Sequence, residues 1–425
     1  MKSLYQNRVP HFMLGIFLCC CSCSSDSDFT IDQEPAVIMQ TEQAFSTELP
    51  IIIINVPDDL PIDSKEEWKE NVELKIMLSN REVVFVDTVS IRGRGNITWR
   101  RYPKKPYSLR LNKKTSVLGM KPAKRWVLLS NWADRTLLRN NVAFEIARRT
   151  SLRWTPQGAH VELILNGVYQ GSYYLCEKIQ INKNRLNIIE MEASDVDEEK
   201  ITGGYLLEID KYFDEVDKFH SSSFHLPYQF KNPKEESLSN KQFEYLEDYI
   251  NQFETSLSCD DLLLSSDYQK WIDPVSFADW WIINELCYNK EVSRPKSVYI
   301  HKQRGERLCM GPVWDFDFST FTLHDDIYVA RKFVYLERLF RNPDFQQFAK
   351  HRWMELRPKM LSIPEYIDSC AILIRKSNEQ NSLMWPISVN HNGDEQMSFD
   401  MAIERMKQCF LRRIEVIDDY LKWFE

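Results

Sequence analysis

The segment "MGPVWDFDFSTF", residues 310–321, sets two carboxylates, Asp315 and Asp317, two positions apart among Trp314, Phe316 and Phe318. In an extended chain side chains alternate faces. The two acids then share one face, and Trp314 and Phe316 share the other. Paired acids beside a core need a partner, and oxygen donors of this kind suit a hard divalent cation. About two dozen residues upstream, "NELCYNKEVSRPKSVYIHK" supplies Glu285 and Glu291. Phosphoryl transfer asks for one carboxylate near the nucleophile and at least one on the metal. An acid on a loop, a strand, and then a metal acid gives that order. The plainer alternatives are turn or cap residues for the Asp pair, a solvated loop for Glu291 and a helix-surface charge for Glu285.

Phosphates also need cations. "IRGRGNITW" sets Gly93 and Gly95 around Arg94, with Asn96 next, at a strand end. Glycines allow close backbone approach, and arginine grips phosphate as a fork; an ordinary glycine turn is the competing reading. "YPKKPYSLRL" brings Lys104 and Lys105 into a strand. A lysine facing a cleft can hold phosphates, although a solvated surface lysine is the commoner case. The P-loop, H-E-x-x-H, G-x-S-x-G, H-R-D and D-F-G signatures do not occur in the sequence.

The elements that must position these residues follow from periodicity. "LPIIIINV" reads as a buried strand, and "VELKIML", "EVVFVDTVSIRG", "KKPYSLRL" and "GGYLLEID" as further strands. "AHVELILNGVYQGSYYLCEKI" reads as a hairpin turning at Asn166-Gly167. "ADRTLLRNNVAFEIARRT" predicts a helix with Leu138, Val142 and Ile146 on one stripe and Asp134 as its cap. From about residue 236 the pattern is helical: Phe243, Leu246, Ile250, Phe253 and Leu257 recur at helical spacing, Asp273-Pro274 opens another helix, and Phe399, Ile403, Met406, Phe410, Ile417 and Leu421 form a last stripe.

The 425 residues carry a net charge of −8 and no long basic run, which speaks against a nucleic-acid surface. Lys2 and Arg8 precede a short apolar run that ends in "LCCCSCSSDSD". This reads as a secretory signal, too short to span a bilayer. It resembles a bacterial lipoprotein leader, with Cys23 the expected lipidation site and Cys21 the second choice. The expected order is a leader over 1–22, a polar tether over 23–48 and a folded region over 49–425. The six cysteines beyond the leader contain no C-x-x-C pair, so a zinc site is not expected.

"IRGRGNITW", "KKPYSLRL", "WVLLSNWADRTLLRNNVAFEIARR", "VELILNGVYQGSYYLCEKI", "GGYLLEID" and "MGPVWDFD" stand in the order and spacing of the CotH spore-coat kinase family. The chain resembles that family over roughly residues 50 to 420. The resemblance implies an α+β, bilobal atypical protein-kinase-like fold, with a β-rich N-lobe over about 49–235 and a mainly helical C-lobe over about 236–425. It implies ATP with Mg²⁺ or Mn²⁺, and phosphorylation of Ser or Thr on an exported protein. Carried over by position, Asp315 is the metal acid with Asp317 beside it, and Lys105 the phosphate lysine. Glu145 and Glu177 compete as the partner of Lys105. Arg94 and Asn96 fall in the nucleotide loop, and Arg139 in "D-x-x-x-x-R-N" contacts phosphate or substrate. The family often has "N-x-D" at the catalytic acid; here "NKE" puts Glu291 there, with Lys296 and Ser297 where an Asn ligand is expected. The leader and the resemblance together imply a kinase lipid-anchored to the bacterial cell envelope. A non-catalytic surface adhesin or scaffold, or ATP-dependent transfer of another group, are the alternatives.

Overall fold

The computed structural model describes residues 48–234, 237–258 and 265–424. The expected leader, Cys23, all but the last residue of the expected tether, and Cys259 lie outside them. Seven strands close a barrel: β1 (Ile51–Asn55), β2 (Lys69–Met77), β3 (Val83–Gly93), β4 (Tyr107–Thr115), β5 (Ala123–Leu129), β6 (Gly158–Leu165) and β7 (Val168–Glu177). Their order is β1-β2-β3-β4-β5-β7-β6. β1 runs antiparallel to β2 and parallel to β6. Ile52 and Ile54 pack inside the barrel with Leu74, Leu109 and Trp126, whereas Ile51 and Ile53 pack outside it with Tyr169, Trp132 and Trp385. Burial on both faces is why β1 reads as an unbroken apolar run. The β6–β7 hairpin turns at Asn166 and Gly167, both at positive φ, as a type I′ turn requires.

α1 (Ile97–Arg101) joins β3 to β4, and α2 (Arg139–Arg148) lies between β5 and β6. Leu138, Val142 and Ile146 are fully buried along one side. Leu138, not Asp134, is the residue before α2. Asp134 still serves the helix start from the preceding loop, its Oδ2 accepting the Arg139 amide at 2.9 Å.

A second, wholly antiparallel sheet comprises β8 (Tyr205–Ile209), β9 (Lys218–His220), β10 (Pro227–Asn232), β11 (Val298–Lys302) and β12 (Leu308–Met310). Its order is β12-β11-β8-β10-β9. β11 pairs with β8 from Val298↔Ile209 to Lys302↔Tyr205. The sheet therefore takes strands from both sides of residue 235, where the sequence pattern placed a lobe boundary. The remaining helices are α3 (Asn240–Ser258), α4 (Pro274–Leu286), α5 (Val329–Lys332), α6 (Val334–Leu339), α7 (Pro343–Met360), α8 (Ile363–Met384), which packs on β7 of the barrel, and α9 (Phe399–Leu421). The fold is α+β.

α4 starts as expected, with Asp273 accepting the Ser276 amide and Pro274 in the first turn. Near its end Glu285 is fully buried rather than a surface charge. It pairs with Arg413 of α9 and accepts the amides of Tyr328, Val329 and Ala330. A buried acid is tolerated where its oxygens are paired in this way. Cys176, Cys287, Cys309, Cys370 and Cys409 are free thiols. Among the described residues no helix is long and apolar enough to cross a membrane.

Candidate functional site

The Asp segment is a loop leaving β12, not a strand. Asp315 has φ 69°, so the simple alternation of an extended chain is broken there. The aromatics are anchored all the same. Trp314 stacks on Phe144 of α2 at 5.7 Å, and Phe316 meets the same ring edge-on at 6.4 Å. The Phe316 amide donates to Asn140 Oδ1 at 2.8 Å, and the Asp317 carbonyl accepts from Asn392. With the rings fixed in the core, Asp315 and Asp317 remain partly exposed. The expected division of acids from aromatics is present, held by α2 instead of by strand geometry.

Glu291 joins these acids. It sits in a short turn, Lys290–Ser293, started by Asn289, whose side chain accepts the Glu291 amide. Asn289 is itself held by Asn284 of α4. Burial, then the charge of Asp315, pushes Glu291 up to about 7. Burial, then Asp315 and Glu291, pushes Asp317 up to about 8. Lys296 donates to Glu291 Oε1 at 2.6 Å. Ser297 reaches Asp315 Oδ2 at 3.4 Å with its hydroxyl, and its amide donates to Asp210. Asp210 is pushed up to about 6 by burial and then by Glu208. Acids that lift one another in this way favour a cation among them.

Among the described residues no three His, Cys, Asp or Glu side chains surround one metal position. Magnesium does not need that, since one or two carboxylates with waters and phosphate oxygens suffice. The donor set fits: two hard carboxylates at Asp315 and Asp317, and a buried Glu291 Oε2 with no hydrogen-bond partner.

The cations lie further along. Arg94 follows β3, Arg125 is in β5 and Lys178 follows β7, while β3, β4, β5 and β7 are neighbours in the barrel. Burial, then the charges of Arg125, Arg94, Lys234 and Lys231, pushes Lys178 down to about 7. Its ammonium has no hydrogen bond or ion pair with a described residue. Arg94 lays its guanidinium over Trp314 at 5.4 Å, beside the Asp segment. Lys231 pairs with Glu208 and Glu215. Glu208 and Asp210 occur together in and just after β8, so a basic group leads directly into the acid group. A groove of about 300 Å³, lined by Ile76, Phe85, Val117 and their neighbours, lies on the barrel and holds no ionisable side chain.

Several of the expected site residues have other partners. Lys105 donates to the Trp99 carbonyl at 2.7 Å and pairs with neither candidate acid. Glu145 is taken by Arg148 and Arg149, and Glu177 by Arg185. Asn96 accepts from Lys65. Arg139 is fully buried and spent on Asp134, Asp394 and the Thr320 carbonyl, so it has no reach to a phosphate. Gly93 and Gly95 have local reasons: a Cβ at Gly93 would strike the Trp99 ring, and Gly95 has φ 88°. Lys178 was missed, although it stands one residue after Glu177. Strand alternation continued by one residue would point it to the face opposite Glu177.

No curated protein matches the chain. A protein-family model described as CotH kinase protein matches residues 89–417, a span that holds Arg94, Arg125, Lys178, Asp210, Glu291, Asp315 and Asp317. The chain belongs to the CotH kinase family.

Proposed function

We propose that this chain is an exported, lipid-anchored kinase that transfers the γ-phosphate of ATP to Ser or Thr of an exported or cell-surface protein. The barrel and the helical part act as two lobes about one cleft. The observation that carries the reading is the sequence of charges: unpaired Lys178 among Arg94, Arg125, Lys231 and Lys234, then Asp210, Glu291, Asp315 and Asp317. That layout accepts a polyphosphate at the basic end and a divalent ion at the acidic end. Arg94 and Lys178 hold phosphate oxygens, and Trp314 under Arg94 fixes the height of that grip. Asp315 and Asp317 hold Mg²⁺ or Mn²⁺, which when bound neutralises charge on the phosphates. Glu291 takes the proton of the acceptor hydroxyl as its oxygen bonds to the γ-phosphorus and the bond to the ADP oxygen breaks. Lys296 orients Glu291 from its other oxygen.

Incubating the full chain with γ-labelled ATP, Mg²⁺ or Mn²⁺ and envelope proteins tests this. Label on protein Ser or Thr is expected. A second reading, a non-catalytic surface scaffold, is favoured by the Lys296–Glu291 pair, which already engages the acid at the catalytic place. Nucleotide binding with no label on protein would select it. The anchor is tested by mass analysis of the mature N-terminus, expected at lipidated Cys23; a start at Cys21 would replace that assignment.

A further inference from the structure

Lys296 is set among the acids of the cleft. It is 15% exposed and donates to Glu291 Oε1 at 2.6 Å. The rings of Phe318 and Tyr212 lie 5.7 and 5.9 Å from its ammonium. Burial works against its charge, yet Asp315 and then Glu291 outweigh burial and raise it above the usual lysine range. The other oxygen of Glu291 is buried and unpartnered. A lysine ammonium is a compact charge with three donors. One donor serves Glu291, which leaves two for other partners, and the charge of Asp315 is near enough to act on the ammonium.

A divalent ion on Asp315 and Asp317 can coexist with this ammonium. A second divalent ion bridging Glu291 and Asp315 would have to displace it, because like charges a few ångströms apart repel strongly in a half-buried site. We propose that Lys296 is the site's second cation, filling the place of a second divalent ion between Glu291 and Asp315, so that the chain takes one divalent ion with each nucleotide. The inference rests on Asp315 and Asp317 as the metal acids and goes beyond that reading in fixing the ion count and the residue that sets it.

The test counts ions and needs no turnover. The full chain is dialysed to equilibrium against Mn²⁺ and β,γ-imido-ATP, and the excess of each on the protein side is measured. One Mn²⁺ per bound nucleotide is expected for the native chain. Lys296→Gln should take two, and Lys296→Arg, which keeps the charge, should stay at one. Two ions in the native chain, or one in Lys296→Gln, would overturn the proposal and leave the metal acids standing. Nucleotide bound by the native chain with no excess Mn²⁺ beside it would overturn both. If Lys296→Gln fails to fold, the other two counts still decide, since two ions in either the native chain or Lys296→Arg rejects the idea.

Discussion

Asp315 adopts φ 69°, a backbone region that non-glycine residues enter at some cost and that recurs at functional sites. Here the surroundings hold it: Trp314 and Phe316 are fixed on either side by Phe144 and Asn140. Glu291 is positioned differently, through its own amide on Asn289 and its carboxylate on Lys296. Glu291→Gln should therefore spare Mg²⁺-dependent nucleotide binding and remove transfer, measured as calorimetric affinity beside label incorporation. Loss of both together would mean that Glu291 belongs to the binding set. On the basic side, Lys178→Met should weaken ATP binding about tenfold or more, the value of a hydrogen bond to a charged group. Lys105→Met should leave it within about twofold, a difference of under 1 kcal/mol, because the Lys105 ammonium is anchored to the Trp99 carbonyl. The reverse ranking would restore Lys105 as the phosphate lysine. Residue types and order made the acids readable from the sequence. Which of several cations stays unpaired depends on partners distant in the chain, such as Asp394 for Arg139, and periodicity carries no such information.

α2 links the barrel to the acid segment, and Arg139 at its start is the fastening. It ties the Asp134 loop, the Asp394 loop and the Thr320 carbonyl together with no exposure to water. Removing one partner of a buried ion set typically costs 3–5 kcal/mol. Arg139→Leu should lower the unfolding free energy by about that much in urea titration; an effect under about 1 kcal/mol, the scale of an exposed pair, would show that the set is not structural. Lys104 of the β4 approach is a second fastening. It is fully buried and donates to Asn381 of α8 at 2.7 Å and to the Ser172 carbonyl. Burial pushes it down to about 7. An unfolded lysine titrates near 10.4, so between these values the unfolded chain binds more protons and stability rises with pH. The penalty of the charged form is fully present below about 7 and is relieved as pH climbs. Between pH 7 and pH 9 this group alone should add about 2 kcal/mol. The native chain minus Lys104→Met should show that slope, and parallel stability curves would refute it. Element types were legible because α4 and α9 announce themselves by cap and stripe. The fastening residues were not, since a lysine or arginine in a strand or helix reads as a surface charge until its burial is known.

Across the molecule, the sequence pattern divides β from α near residue 235, but β11 crosses that line to pair with β8. Long-range pairing of this kind has no local signal, so the α+β class could be read while the second sheet could not. The consequence is functional. β8 delivers Glu208 and Asp210, β11 follows Lys296 and Ser297, and β12 leads into Asp315. One sheet thus gathers three separated stretches of chain at the acid end, and the barrel presents Arg94, Arg125 and Lys178 at the basic end. The central claim is that both ends grip one metal–nucleotide complex. Calorimetric titration of ATP into the native chain, Asp315→Asn and Lys178→Met, each with and without Mg²⁺, addresses it directly. The account predicts that Mg²⁺ strengthens binding to the native chain and that Asp315→Asn loses that gain while its thermal melt is preserved. It also predicts that Lys178→Met binds more weakly in both conditions. Asp315→Asn binding ATP with the native chain's full response to Mg²⁺ would contradict the account and make the acid pair structural.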